Sequence, residues 1–312
     1  AVLLGLSVTV MIQSSSATDM MVIGFVNSGL LEITQAIGVI MGANIGTTVT
    51  AQVTAFDLSS FAPVLLFIGC VMMLFMKKPL VRNIGSIILG FGMLFVGISM
   101  IKTSIAPLSY SKSFISFLST LSNPVLAVIF GIVFTALLQS SSSSTVIFQA
   151  FAIEGLLDYH TAVYLVIGAA IGSVAPNILA SLTTNRNGKR TAVLNLLFNV
   201  FRAAFLIILI NAVPQVLDLI QALSPNDVGR QVANTHTIFA ILAVAVMLPF
   251  SDYIAKLSEI IIPVLPEETR SRRERQLHYM VDTANTLPAV TIRQAMLERS
   301  EEHTSELQSL AY

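Results

Sequence analysis

Between Glu32 and Asp57 the chain passes through residues 33–56 without one Asp, Glu, Lys or Arg, and residues 58–76, 83–101 and 231–251 repeat the pattern. Each run is close to the ~20 apolar residues that one bilayer crossing requires. A soluble protein can hide one such helix in its core, but a series of them with basic residues in between describes a polytopic membrane protein. Composition agrees: 54% of residues are apolar and 11% charged, against about 25% charged in soluble domains, and the mean hydropathy is +0.81. The lipid bilayer is the expected solvent. Net charge is zero, so nothing draws the chain to nucleic acid, and none is expected as a partner. Cys70, the single cysteine, excludes a disulfide within the chain and reads as a small buried apolar residue.

Sliding the chain by 126 positions lays residues 1–50 on residues 127–176 without a gap and with 17 identities. Among them are Gly5/Gly131, Thr9/Thr135, Gln13/Gln139, Ser14/Ser140, Ser15/Ser141, Ser16/Ser142, Gly42/Gly168 and Gly46/Gly172. Polar residues and glycines match as often as apolar ones, so common hydrophobicity does not produce the repeat.

Basic residues favour the cytoplasmic side in short loops. Lys77, Lys78 and Arg82 mark one inside loop, Arg186, Lys189 and Arg190 a second, and Arg270, Arg272, Arg273 and Arg275 a third. With residues 58–76 running inward and 83–101 outward, repeat 1 (about 1–57) ends outside and repeat 2 (about 127–186) ends inside. Similar sequences that end on opposite faces form an inverted repeat, and transporters of that kind bind their cargo near the midplane where the copies meet. Each copy contains two apolar pieces too short to span and one long enough. The predicted fold is therefore all-α and polytopic, with two inverted-topology repeats, each a re-entrant helical hairpin followed by an interrupted transmembrane helix. The interruption is expected at Gly42-Ala43-Asn44-Ile45-Gly46, where irregular backbone must line a cavity or be buried in protein. Beyond repeat 2, residues 191–213 read as an outgoing helix, 214–231 as an amphipathic or loop segment and 237–250 as a returning helix.

The membrane core is expected to occupy residues 1–262. Pro263 and Pro266 break the chain, and residues 267–298 read as the start of a cut-off cytoplasmic helical domain. Residues 299–312 read as the translation of a sequencing-library adapter, which leaves His303 without a role, and Ala1 as a start inside a longer protein.

Sodium suits oxygen ligands, and hydroxyls, amides and backbone carbonyls serve. Phosphate suits backbone N–H groups at helix N-termini together with Ser, Thr, Asn and Gln. A Gln-Ser-Ser-Ser tip offers both kinds of group. A lone serine triplet reads equally as a flexible linker, whereas two copies in the middle of apolar hairpins do not. In the glycine motif and its counterpart, Asn44, Thr47, Thr48, Thr50, Ser173 and Asn177 add side-chain oxygens, while the glycines also suit close helix packing. Asp19 follows the first triplet, either as a carboxylate for sodium or as a helix N-terminal charge. Arg202 lies inside an apolar helix, where it serves the function or, in a structural role, snorkels to the interface or pairs with an acidic residue. His160 and His236 show no metal-ligand spacing.

The paired Gln-Ser-Ser-Ser segments, each followed some thirty residues later by a Gly-Ala-Asn-Ile-Gly type motif, resemble the type II sodium/phosphate cotransporter family in its bacterial form, over about residues 1–260. Residues 189–199 are also similar, with Asn195 where the family has His. The resemblance implies sodium-coupled symport of inorganic phosphate in a multi-pass protein of the cell inner membrane. It implies that Gln13, Ser14, Ser15 and Ser16 share anion and sodium binding with Gln139, Ser140, Ser141 and Ser142. Na+ is then the coupling ion, with no cofactor and no catalytic residue. A PhoU-like domain fits the charged tail, which would be cytoplasmic, and a homodimer is an assembly to test. Three other functions compete: a non-transporting phosphate sensor, a carrier of another oxyanion such as sulfate, and an enzyme with Ser14 or Ser141 as nucleophile. The last lacks a paired base at recognisable spacing.

Overall fold

Two glutamines set the frame of the molecule. Helix α1 (Val2–Ile12) stops where Gln13 takes left-handed backbone, φ 58°, and Ser14 becomes extended. The Ser14 hydroxyl then accepts from the Ala17 amide at 3.2 Å and opens α2 (Ser15–Asn27). A non-glycine residue in that conformation costs about 1–2 kcal/mol, so the sharp reversal is held by its surroundings. The computed structural model describes residues 1–56 and 58–263; the expectations for 267–298 and 299–312 lie outside the described residues.

After α2 come α3 (Ile33–Gly46) and α4 (Thr48–Thr54), then α5 (Ala62–Phe75), α6 (Pro79–Ile105) and α7 (Lys112–Thr120). The second copy follows as α8 (Pro124–Leu138), α9 (Ser141–Ile153), α10 (Tyr159–Gly172) and α11 (Ala175–Ser181). The chain continues through α12 (Arg186–Ala212), α13 (Gln215–Ala222), α14 (Val228–Met247) and α15 (Ser251–Ile261). There are no strands among the described residues. Adding 126 to α2 and α3 reproduces the bounds of α9 and α10 residue for residue. Gln139 repeats the left-handed φ of 58°, and the two positive-φ glycines, Gly29 and Gly155, are also 126 apart.

The repeat extends to the packing. A Cβ built on Gly5 would lie 1.9 Å from Val39 O, and one on Gly42 would lie 1.9 Å from Val2 O. The corresponding atoms of the second copy meet in the same way, at 2.3 Å for Gly131 against Leu165 O and 2.2 Å for Gly168 against Val128 O. Only hydrogen fits between α1 and α3 or between α8 and α10, which is how small residues let membrane helices approach. The expected interruption at residues 42–46 does not occur. These residues are helical, and the break falls afterwards, at Thr47 in the first copy and at Ser173-Val174 in the second. Glycine permits unwinding but does not compel it, and in an apolar surrounding the backbone finds no better partner than its own helix.

Among the described residues, five helical stretches are long and apolar enough to cross a membrane: Ile33–Thr54, Pro79–Tyr110, Tyr159–Ser181, Arg186–Ala212 and Val228–Ile261. Residues 58–76, expected to cross, form the helical turn Ser59–Phe61 and α5, together an apolar helical stretch Ser59–Phe75 shorter than these five. The returning helix begins at Val228, well before residue 237, because Asp227 caps it by accepting from the Arg230 amide at 2.9 Å.

One apolar core surrounds the second copy, with Phe148, Leu165, Leu206, Ile210 and Phe239. Another surrounds the first, with Ile37, Ile40, Met41, Leu194 and Phe198. Helix α12 contributes to both. Large apolar side chains such as Phe67, Leu80 and Leu137 stay exposed on α5, α6 and α8, as lipid-facing residues do.

Candidate functional site

The breaks after α3 and α10, the tip of α9 and the middles of α12 and α14 meet at one small cavity. It is lined by Asn44 and Thr47 from the first copy, Ser141, Thr145 and Ser173 from the second, and Arg202 and His236. Arg202 is 4% exposed. Its Nη1 donates to Asn44 Oδ1 at 2.9 Å, while its Nε is buried without a hydrogen-bond partner. Among the described residues no carboxylate pairs with it. An uncompensated buried charge costs several kcal/mol, so this cavity strongly favours an anion. In the present conformation it has room for about one water molecule. A second, mostly apolar cavity shares Val166, Arg202 and His236 and runs on between Leu206, Val232 and Phe239.

Of the expected site residues, the cavity gathers Asn44, Thr47, Ser141 and Ser173. The first Gln-Ser-Ser-Ser tip does not line it. Gln13 accepts from Thr50 Oγ1 at 2.8 Å and donates to Val10 O at 2.8 Å, so these two expected residues meet each other. Ser14 and Ser140 are helix caps: the Ser140 hydroxyl accepts from Ser143 N at 3.2 Å. Ser15, Ser16 and Ser142 are half-buried on the first turns of α2 and α9, and Gln139 is exposed. Thr48 is buried and donates to Ile45 O at 2.8 Å.

Asn177 belongs to a second polar cluster. Asp19 is 5% exposed, and its Oδ2 accepts from Asn177 Nδ2 at 2.9 Å and Asn195 Nδ2 at 2.8 Å. Asn199 Nδ2 in turn donates to Asn195 Oδ1 at 2.9 Å and to Asn195 O at 3.0 Å. Both clusters lie along α12, since Asn195, Asn199 and Arg202 are four and three residues apart and share one helix face.

Sequence reasoning left out Thr145, His236, Asn195 and Asn199. His236 lies in the middle of α14. Thr145 was legible as the repeat partner of Asp19, and Asn195 as the departure from His.

Cross-links tie the copies together at both ends. Thr54 Oγ1 at the end of α4 donates to Gln149 Oε1 near the base of the second hairpin at 3.0 Å. Asn185, just past α11, donates through its backbone N to Asn27 Oδ1 at 2.8 Å and through Nδ2 to Asn27 O at 2.7 Å, at the base of the first hairpin.

A family profile described as Na+/Pi-cotransporter matches residues 1–103 and 108–248. YjbB of Escherichia coli K12, provisionally named an inorganic phosphate export protein, is 27% identical over 274 residues, which is 88% of this chain and 50% of that protein. YqeW of Bacillus subtilis 168, an uncharacterized protein by name, is 30% identical over 264 residues, 84% of each chain. The sodium-dependent phosphate transport protein 2A of Rattus norvegicus is 51% identical over 51 residues, 16% of this chain and 8% of that protein. The chain thus spans about half the length of YjbB. No solved structure matches it.

Proposed function

This chain belongs to the Na+/Pi-cotransporter family, a family of transporters, and from that premise we propose that it is the membrane core of a sodium-coupled symporter of inorganic phosphate in the cytoplasmic membrane. The observation that carries the proposal is Arg202, a buried guanidinium with no acidic partner among the described residues, at a cavity lined by both copies. A phosphate entering there offsets the buried charge and accepts from the guanidinium, from the hydroxyls of Thr47, Ser141 and Ser173 and from the first turn of α9. Because the cavity is water-sized, binding requires the copies to part, as an alternating-access carrier does when it opens to one side.

Two contacts support an inverted arrangement of re-entrant hairpins. The end of the first copy, Thr54, bonds to the base of the second hairpin at Gln149, and the end of the second copy, Asn185, bonds to the base of the first at Asn27. If each copy starts and ends on opposite faces, these pairings require the copies to be antiparallel. The basic residues then put Arg186 inside and the tail in the cytoplasm.

Radiolabelled phosphate uptake into vesicles carrying the full-length protein, with sodium and then with potassium alone, tests the reading. Uptake that requires an inward sodium gradient and resists excess sulfate is the expected result. Phosphate binding without uptake makes the protein a sensor instead, and competition by sulfate makes it a carrier of another oxyanion.

A further inference from the structure

Asp19 is the buried carboxylate among the described residues, and its surroundings have an imbalance of donors and acceptors. Its Oδ2 draws the amide nitrogens of Asn177 and Asn195 toward itself, which turns the amide oxygens away. The oxygen of Asn195 is taken by Asn199. Three buried oxygens of this one network then have no hydrogen-bond partner: Asp19 Oδ1, Asn177 Oδ1 and Asn199 Oδ1. A buried acceptor left unmatched is costly, and three in one network require a species that attracts lone pairs.

We propose that this network, formed by α2, α11 and α12, is a sodium site in which Asp19 Oδ1 and Asn177 Oδ1 are the principal ligands and Asn199 Oδ1 a further one. Asp19 and Asn177 are joined by a single 2.9 Å hydrogen bond between Oδ2 and Nδ2, which leaves the other oxygen of each side chain open in the same buried network. A proton on Asp19 Oδ1 would let that atom donate to one of the two vacant amide oxygens and leave the other unmet. A divalent ion would keep an excess charge, since the network holds a single carboxylate, whereas a monovalent ion makes it neutral. The repeat partner of Asp19 is the uncharged Thr145, which lines the cavity beside Arg202. The first copy therefore supplies the carboxylate of the cation site and the second an uncharged hydroxyl at the matching position of the anion cavity, about 10 Å apart along one side of α12 from Asn195 to Arg202. This assignment rests on the sodium-coupled reading for its role in transport, though not for the binding of the ion.

The test uses purified full-length protein. Radiolabelled sodium binding is measured without phosphate, and phosphate uptake is measured against sodium concentration, for the wild type, Asp19→Asn and Asn177→Ala. Asp19→Asn is expected to raise the sodium concentration for half-maximal binding and uptake at least tenfold, while the phosphate concentration for half-maximal uptake at saturating sodium moves less than threefold. Asn177→Ala, which leaves the carboxylate in place, is expected to shift sodium binding in the same direction by a smaller factor. Sodium binding unchanged in both variants overturns the site even if the wild type transports phosphate with sodium. Conversely, Asp19-dependent sodium binding in a protein that takes up no phosphate leaves the site standing and removes the transport reading. Uptake in sodium-free buffer driven by acid pH and abolished by Asp19→Asn also overturns it, in favour of a proton.

Discussion

Arg202 Nη1 reaches Asn44 Oδ1 across 2.9 Å, joining the helix that follows the second copy to the glycine motif of the first. The neutral amide offers only a partial charge to the cation, so the pair orients the guanidinium without neutralising it. An anion can therefore take over as the stronger partner while Asn44 keeps the fork in place.

Replacing Arg202 separates charge from shape. Arg202→Gln is expected to weaken phosphate binding roughly tenfold to a hundredfold, the equivalent of about 1.5–3 kcal/mol for a lost charged hydrogen bond. Arg202→Lys should retain part of the affinity, because it keeps the charge and loses the planar fork. Phosphate concentration dependence at saturating sodium measures both, with abundance in the membrane as the control. If Arg202→Gln leaves the phosphate dependence unchanged, the guanidinium is a scaffold.

The serine tips make a second test. Ser141 lines the cavity and Ser15 does not, so Ser141→Ala should impair uptake more, by roughly tenfold. Ser15→Ala should impair it too if the two tips converge on one phosphate during the cycle, and a double-mutant cycle would then show coupling. A Ser15→Ala variant with unaltered sodium and phosphate dependence assigns the first tip to the scaffold.

Accessibility tests the antiparallel arrangement. Ser60 and Thr183 are both exposed. In a background without Cys70, cysteine placed at Ser60 should react with an impermeant reagent from outside, and cysteine placed at Thr183 only after the membrane is opened. Reaction of both from one side contradicts the inverted repeat.

The glycine seams predict stability. Gly5→Ala puts a methyl group 1.9 Å from Val39 O, and Gly131→Ala puts one 2.3 Å from Leu165 O. Each should destabilise the protein by about 1–3 kcal/mol, the usual range for overpacking. Gly24→Ala, with nothing within 4 Å of the added carbon, should not. Thermal unfolding in detergent compares the three.

Much of the architecture was legible because the repeat is written in residues that cannot drift freely: the glycines of the seams, the glutamines at the reversals and the serines that cap the next helix. The site was only half legible. Asp19 and Asn195 are 176 residues apart, and no local pattern reports such a pairing. Arg202 and His236 were hard to place because α12 and α14 are apolar on their exposed sides as well as their buried ones, with Ile208 and Ile241 exposed and Leu206 and Phe239 buried. A helix apolar on both sides shows no single apolar stripe from which its rotation can be read. Arg230 also hid the start of α14, since one basic residue in the first turn broke the hydrophobic run without breaking the helix.

Helix α12 gives Leu194 and Phe198 to one core and Leu206 and Ile210 to the other. Mechanically it is a beam clamped at two points, with Asn195 inside the first clamp and Asn199 and Arg202 on the free length between the clamps. Any tilt of one copy against the other must twist or bend that length, so its torsion concentrates where Asp19 and Asn44 hold it. The two ions would then sit at the fulcrum, where small changes in local bonding are converted into the largest displacement at the lever ends.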